Sequence, residues 1–439
     1  MTYYEAVRHL NARQMFGIKL GLNNIKKLLK CLDNPERSFK SIHIAGTNGK
    51  GSTGAILASI FAAQGLTTGL YTSPHISTVR ERFRLMGINN SMEGELIKPV
   101  EFAAFYKQII PHLDEIPCTY FECTTALAFL YFREQKVDIA VIEVGLGGRL
   151  DATNVITPVC SVITTIGYDH REHLGETLEH ITREKCGIIK RGVPVVSGVE
   201  QEECRRIIVS TAERKNAQLF EAGKTVEISN VQYSISGTKC DIRINGIAIR
   251  DLFLSLPGSF QVSNAQTALT AFSVIQNGNI TPVIPYIRTG LRYVSWPWRF
   301  MIYGNSLLHD RHAPLVIIDV AHNEGGFRAL SANIRELLPH KNVFLVVGMK
   351  ENKDWERAIK PILLLCKAGI GIPLPGFKNI SPKKLGSVFE HSGIPFRYFQ
   401  SVRAGVLHAY KLADRKDLIL CAGSHYTVNA VKKVINSLD

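Results

Sequence analysis

The sequence predicts an α/β protein with two parts. A large domain stands on a mostly parallel sheet with an antiparallel appendage, and a smaller α/β domain follows it. Three observations carry this reading. Residues 42–61 run from a β-branched strand through a glycine-rich turn into an apolar helix, the order of elements in a phosphate-binding loop. The segments 138–144 and 159–166 are nearly continuous apolar runs, as expected of parallel strands covered on both faces. Between 225 and 256 the apolar period changes to two, and beyond 299 strand and helix patterns alternate again.

The first of these segments organises the rest. Ile42 to Ala45 is the strand, Gly46 to Gly51 the turn, and a helix begins near Ser52 and continues through Ile56, Leu57, Ile60 and Phe61. Glycines let backbone N–H groups turn inward around an anion, and the helix N-terminus adds unpaired donors and partial positive charge. Lys50 would reach the terminal phosphates of a nucleotide, and the Ser52 hydroxyl would face Mg²⁺. The loop departs from the common G-x-x-x-x-G-K-[ST] pattern because Gly51 separates Lys50 from Ser52. A ligand-free glycine turn is the bland alternative; a strand before and a helix after favour a nucleotide.

Length and composition narrow the class. A chain of 439 residues exceeds one ordinary core, so two or three domains are expected. With 45% hydrophobic and 21% charged residues it lies outside the disordered class. The net charge of +14 is spread singly or in pairs such as Lys26-Lys27 and Lys383-Lys384. That suits an enzyme handling polyanionic small molecules better than a nucleic-acid-binding module. The nine cysteines are odd in number, scattered and without a CxxC pair, which argues against a disulfide framework and a zinc site. The N-terminus lacks a signal-peptide pattern, and no apolar run reaches the roughly 18 residues a membrane span needs. A cytoplasmic protein is expected.

In chain order, residues 4–31 carry helical spacing and lead into the phosphate loop. Thr67 to Tyr71 is a short strand ending in Thr72-Ser73-Pro74-His75, where Ser73 would face a nucleotide crevice; a plain Ser-Pro turn is the alternative. A helix over 100–113 follows, and Thr119 to Thr125 opens another, in which Glu122 fits simple capping. The strand 138–144 carries one carboxylate, Glu143, at its carboxyl end. Buried alone it would be costly, and a magnesium ion opposite the phosphate loop would resolve that cost. A second loop, 145–154, lies at the same sheet edge.

The strand 159–166 delivers Gly167-Tyr168-Asp169-His170. A lone histidine is more often a turn or core residue, but Ser73, Glu143 and His170 at equivalent strand ends point toward metal chemistry. Lys185, on a helix around 175–190, reads on its face as a solvated charge. Val193 to Ser197 is another strand. The two-residue period over 225–256, with the hairpin signal Asn245-Gly246, gives the antiparallel appendage on the main sheet. A helix follows Pro257-Gly258 to about 276. Residues 295–299 (Ser-Trp-Pro-Trp-Arg) look like a hinge. Strands at 315–319, 343–348 and 418–422, with a helix at 327–338, form the smaller domain. The division is placed at 1–297 and 298–439.

These motifs together resemble a family. AGTNGKGS (45–52), YTSPH (71–75), VIEVGLGGRLDATN (141–154), YDH (168–170), REKCGIIK (183–190), GSFQVSN (258–264), WPWR (296–299), DVAHN (319–323) and CAGS (421–424) occur in that order. The chain resembles the folylpolyglutamate synthases and dihydrofolate/folylpolyglutamate synthases, within the Mur ligase superfamily of ATP-dependent amino-acid ligases. The resemblance implies a Mur-ligase-like fold, a P-loop ATPase-type domain followed by a Rossmann-like one. It implies ATP and Mg²⁺, and admits a monovalent cation such as K⁺. Asn48, Gly49, Lys50, Gly51, Ser52, Asn264, Arg299 and Asp319 become ATP contacts, and Ser52, Ser73, Glu143 and His170 surround the metal. Lys185 matches a lysine that the family carbamoylates. His322 lines the site of the incoming amino acid, while Phe121, Glu122, Asp151 and Ala152 fall on the pterin side. Catalytic roles are implied for Lys50, Lys185, His170, His322 and Asp151. Trp298 departs from the family, which usually has a small residue there, and Val320 replaces a common glycine.

The implied reaction is ATP-dependent γ-linkage of L-glutamate to a folate through an acyl phosphate, by a monomer acting on small molecules without nucleic acid or membrane. A carboxylate resists amine attack until phosphorylation gives it a leaving group. Whether dihydropteroate is also a substrate stays open. The rivals are a Mur-type ligase of a cell-wall nucleotide precursor and a phosphate-loop switch protein without ligase activity.

Overall fold

The computed structural model describes residues 1–439 except 18, 88–93, 304–312, 352–353, 377 and 438–439. Its large sheet has eight strands: β1 (Lys40–Ala45), β2 (Thr68–Tyr71), β3 (Phe83–Met86), β4 (Glu95–Leu96), β5 (Ile139–Glu143), β6 (Cys160–Ile163), β7 (Val195–Ser197) and β8 (Leu219–Glu221). Their spatial order is β4-β3-β2-β5-β1-β6-β7-β8. Pairing is parallel from β2 through β8, and β3 and β4 add an antiparallel edge. The chain leaves β1 toward one edge, then returns through β5 and runs to the other edge from β6. The carboxyl end of β1 is therefore a switch point, where α/β sheets open a ligand crevice.

Both faces of this sheet are covered, which explains why β5 reads as an unbroken apolar run. Ile139 and Val141 enter the core under the phosphate-loop helix, while Ala140 and Ile142 enter the opposite core. That second core is built by the helices Tyr3–Ala12, Asn23–Cys31, Pro99–Ile109 and Tyr120–Glu134. The phosphate-loop helix, Lys50–Ala63, is buried all round from Gly51 to Ala62. It lies between the sheet and the helices Ser259–Ile275 and Ile284–Tyr293, a setting in which no polar stripe is expected.

One expectation is corrected. The alternating segment forms β9 (Val226–Ser234), β10 (Gly237–Ile244) and β11 (Ile247–Leu254), but these make a sheet of their own in the order β11-β10-β9 and do not extend the main sheet. Val226, Ile242, Ile244, Ile249, Leu252 and Leu254 share a core with the helix Ser259–Ile275 and the phosphate-loop helix. The apolar face thus finds helices to pack on, not a strand edge. Asn245 and Gly246 both have positive φ, 49° and 81°, as a two-residue hairpin turn requires.

The smaller sheet contains β12 (Met301–Tyr303), β13 (Leu315–Ile318), β14 (Asn342–Val347), β15 (Cys366–Gly371), β16 (Phe396–Tyr398) and β17 (Asp417–Ala422), ordered β12-β13-β17-β14-β15-β16. All its pairs are parallel except β12 with β13. The helices Glu324–Leu337, Trp355–Leu363 and Pro382–Glu390 cover one face, and Val402–Leu412 and His425–Ile435 the other. The connecting segment is pinned by one tryptophan in each lobe: Trp296 packs on the core of the large lobe and Trp298 enters that of the small one. Trp298 and Phe300 have φ of 67° and 51°, values that bulky residues seldom adopt. Among the described residues no helix is long and apolar enough to cross a membrane.

Candidate active site

The phosphate loop is strapped to the end of β6. Thr47 N donates to Thr165 O (2.8 Å), Asn48 N donates to Thr165 Oγ1 (3.0 Å), and the Thr164 hydroxyl donates to Asn48 O (2.6 Å). Gly49 caps the following helix at φ 84°, and a Cβ there would lie 2.3 Å from Asn264 Oδ1. A Cβ on Gly51 would lie 2.9 Å from the Trp296 ring. Both glycines thus allow close approach, and Gly49 alone also makes the turn.

Charge converges on the same loop. Lys50 Nζ donates to Gly46 O (3.1 Å) and Thr47 O (3.2 Å), and it stands 3.9 Å from Glu143 Oε1. Ser73 N donates to the other Glu143 oxygen at 3.2 Å. Desolvation still pushes the Glu143 pKa above its ordinary value, against the pull of Lys50. Lys185 is no solvated charge: it is 4% exposed and donates to Gly46 O at 2.9 Å. Burial, reinforced by the nearby Lys50, lowers its pKa to about 7. Two lysines thus meet at one carbonyl, one of them poised to lose its proton.

The small lobe supplies the opposite wall. Asp319 at the end of β13 is buried and accepts from Phe300 N and Ala321 N, both at 2.7 Å. Desolvation raises its pKa while Arg299 opposes that rise. Burial lowers the pKa of Arg299, with Asp319 and Glu143 opposing. His322 Nε2 lies 3.2 Å from Asp169 Oδ2, and its Nδ1 is 2.9 Å from Val320 O. A cavity of about 550 Å³ runs between the lobes. It is lined by the phosphate loop, Ser73, Glu143, His170, Lys185, Asn264, Arg299, Asp319 and His322, and also by Lys350 and Ser424 to Tyr426.

Most of the sequence-predicted site residues are therefore brought together, and four are not. Phe121, Glu122, Asp151 and Ala152 do not line this cavity. Glu122 accepts from Thr119 N (2.8 Å) and Thr119 Oγ1 (2.9 Å), which is the capping alternative. Asp151 accepts from Leu146 N (2.8 Å) and Thr153 N (2.9 Å) and so shapes its own loop. The Phe121 ring lies against Gly145, where a Cβ would meet it at 2.5 Å, and Ala152 is in the core behind. His170 reaches the cavity from a left-handed backbone (φ 51°), with its ring nitrogens 3.8 Å from Asp169 and from Glu172. Among the described residues, no group of three or more His, Cys, Asp or Glu side chains is arranged to hold a metal. Sequence reading passed over Asp169 and Asn323, although both sit inside quoted motifs one residue from a chosen histidine; they join the lobes across the cavity.

Comparison with known proteins agrees with this architecture. The Mur ligase middle domain matches residues 44–272, and the Mur ligase glutamate ligase domain matches residues 299–425. A dihydrofolate synthase/folylpolyglutamate synthase of Bacillus subtilis is 35% identical over 98% of this chain and 99% of its own. Folylpolyglutamate synthase of Mycobacterium tuberculosis, solved with ADP and AMPPCP, superposes with a TM-score of 0.89 at 26% identity, covering 99% of both chains. FolC of E. coli, solved with DHPP and ADP, gives a TM-score of 0.87 at 29% identity, covering 100% of this chain and 98% of its own. With both Mur ligase domains in sequence and full-length likeness to these enzymes, the chain belongs to the folylpolyglutamate synthase/dihydrofolate synthase family of Mur ligases.

Proposed function

We propose that the chain is an ATP-dependent ligase that joins the amine of L-glutamate to the γ-carboxylate of a folate through an acyl phosphate. The observation that carries this reading is the two-lobed cavity, with a phosphate loop and Lys50 on one wall and Arg299, Asp319 and His322 on the other. Lys50 and Arg299 would neutralise charge on the transferred phosphoryl group, and Asn264, beside Gly49, would border the nucleotide. The lobes would then exclude water from an acyl phosphate that hydrolyses readily. The donor set fits magnesium, which takes one or two carboxylates from a protein and other oxygens from phosphates. Glu143, His170 and the hydroxyls of Ser52 and Ser73 would hold it, and when bound it would supply charge neutralisation at the phosphates. The Phe121–Asp151 side, set back from the cavity, is proposed for the pterin. We place the domain division at 297/298, supported by the tryptophan pinned in each lobe, and expect a cytoplasmic monomer that binds no nucleic acid.

The test is ADP release by purified protein with Mg-ATP, comparing tetrahydrofolate and dihydropteroate, each with and without L-glutamate. Release that requires both a pterin carboxylate substrate and glutamate supports the reading. Activity with both carboxylate substrates means a bifunctional enzyme, and with tetrahydrofolate alone a dedicated polyglutamylase. No activity with either, while Mg-ATP binds, overturns the assignment in favour of cell-wall precursors.

Lys185 adds a second expectation. With its pKa lowered to about 7 by burial, its amine loses its proton near neutral pH far more readily than a solvated lysine does, and only the neutral form attacks CO₂. The nitrogen bonds to carbon, one proton leaves, and a carbamate whose single negative charge is shared over two oxygens faces the loop. At fixed dissolved CO₂, recovery of activity after CO₂ depletion should quicken as pH rises through about 7 and level off above it. A recovery rate that is flat with pH, or no loss on depletion, would count against the modification.

A further inference from the structure

The lobes meet at the tip of the phosphate loop through a pair of amides. Asn48 Nδ2 donates to Asn323 Oδ1 and Asn323 Nδ2 donates to Asn48 Oδ1, both at 3.1 Å. Asn323 Nδ2 also donates to Asp169 Oδ2 at 3.0 Å, and its Oδ1 accepts from Gly326 N at 2.8 Å. Both hydrogens and both acceptor positions of this one side chain are thus used. Asn323 is 6% exposed and caps the helix Glu324–Leu337. Asn48 is held in turn by its backbone, its N–H by Thr165 and its carbonyl by Thr164 and Thr165. Any movement of the small lobe away from the large one must break the amide pair and free the Asn48 side chain at the loop's tip, while Thr164 and Thr165 keep its backbone.

We propose that Asn323 is a positioning residue: by clasping Asn48 and Asp169 it fixes the side chain at the tip of the phosphate loop, and seats that tip against the small lobe, only when the lobe is docked. This rests on the ligase reading above and goes beyond it. Phosphoryl transfer is thereby tied to closure, so that the acyl phosphate forms when water is already excluded. A helix cap alone needs only the oxygen, which aspartate also offers. The clasp needs the two amide hydrogens, and aspartate would instead set a carboxylate against Asp169.

The variants Asn323→Asp, Asn48→Ala and their double combination separate these roles. Each single change should lower kcat on the order of tenfold or more, and the double should be no worse than the poorer single, because both break one unit. Asn48→Ala should melt close to the starting protein, whereas Asn323→Asp should keep the helix cap and remain folded but melt somewhat lower, because its carboxylate faces Asp169. Wild-type turnover in Asn323→Asp, or independent multiplication of the two defects, overturns the clasp. Calorimetric binding of Mg-AMPPCP keeps the two readings apart: affinity should fall on the order of fivefold in both single variants even if the starting protein shows no glutamate-dependent turnover. In that case the ligase reading fails and the clasp stands; unchanged affinity together with unchanged turnover sinks the clasp alone.

Discussion

Lys50→Ala should lower kcat for glutamate-dependent ADP release by about 10²–10³-fold, the loss seen when one positioned charge-stabilising donor is removed from a reacting centre. The ammonium has one route to its present position, folded back over its own loop onto the carbonyls of Gly46 and Thr47, with Glu143 3.9 Å away. Those carbonyls are replaceable partners, so the ammonium can exchange them for phosphate oxygens. The fold should survive, because no apolar contact is lost at a helix start that remains capped by Gly49. A second readout follows from the neighbouring lysine. Lys50 is among the causes that depress the Lys185 pKa, so its removal should raise that pKa and shift the pH dependence of CO₂ uptake upward. Full activity in Lys50→Ala, measured with saturating Mg-ATP, would remove the phosphate loop from the reaction.

The parts that were legible in the sequence are those in which a local pattern has one physical solution. Strand, glycine turn and helix at 42–61 favoured a phosphate-loop unit over a ligand-free turn, and Asn245-Gly246 marked a tight hairpin. The carboxylate of Glu143 at the end of an apolar strand announced a site because burial without a partner is costly. What stayed hidden depends on the third dimension. The β9–β11 sheet reads the same whether its apolar face meets strands or helices, and only packing decides. Lys185 looked solvated because its helix, Leu178–Cys186, carries charges at four of its nine positions; burial comes from the loop that crosses it. The helices Ile284–Tyr293 and Trp355–Leu363 went unread: Pro285 stands in the first turn of one, and Pro361 lies inside the other. Asp169 and Asn323 could have been found by asking what the neighbours of His170 and His322 bind across the cavity.

Glu143→Gln should abolish most turnover, on the order of the 10²–10³-fold loss above, yet leave the metal- and nucleotide-free protein at least as stable. In the free protein the Glu143 carboxylate is buried with one backbone N–H and a lysine 3.9 Å away. Desolvation outweighs both, so its folded pKa lies above 4.5. The sign follows from proton binding. Between 4.5 and the raised folded value, the folded state holds more protons than the unfolded one, so this group's contribution to stability falls as pH climbs through that window. Glutamine keeps the shape and the acceptor while removing the charge, and with it the fall. The variant should therefore melt level with the parent near pH 4.5 and at or above it near neutral pH. That pairing of lost activity with retained or raised stability is expected of a residue held in place for its chemistry. A variant that melts well below the parent at neutral pH would show instead that the Lys50–Glu143 pair stabilises the fold, and the carboxylate would have to be read as structural.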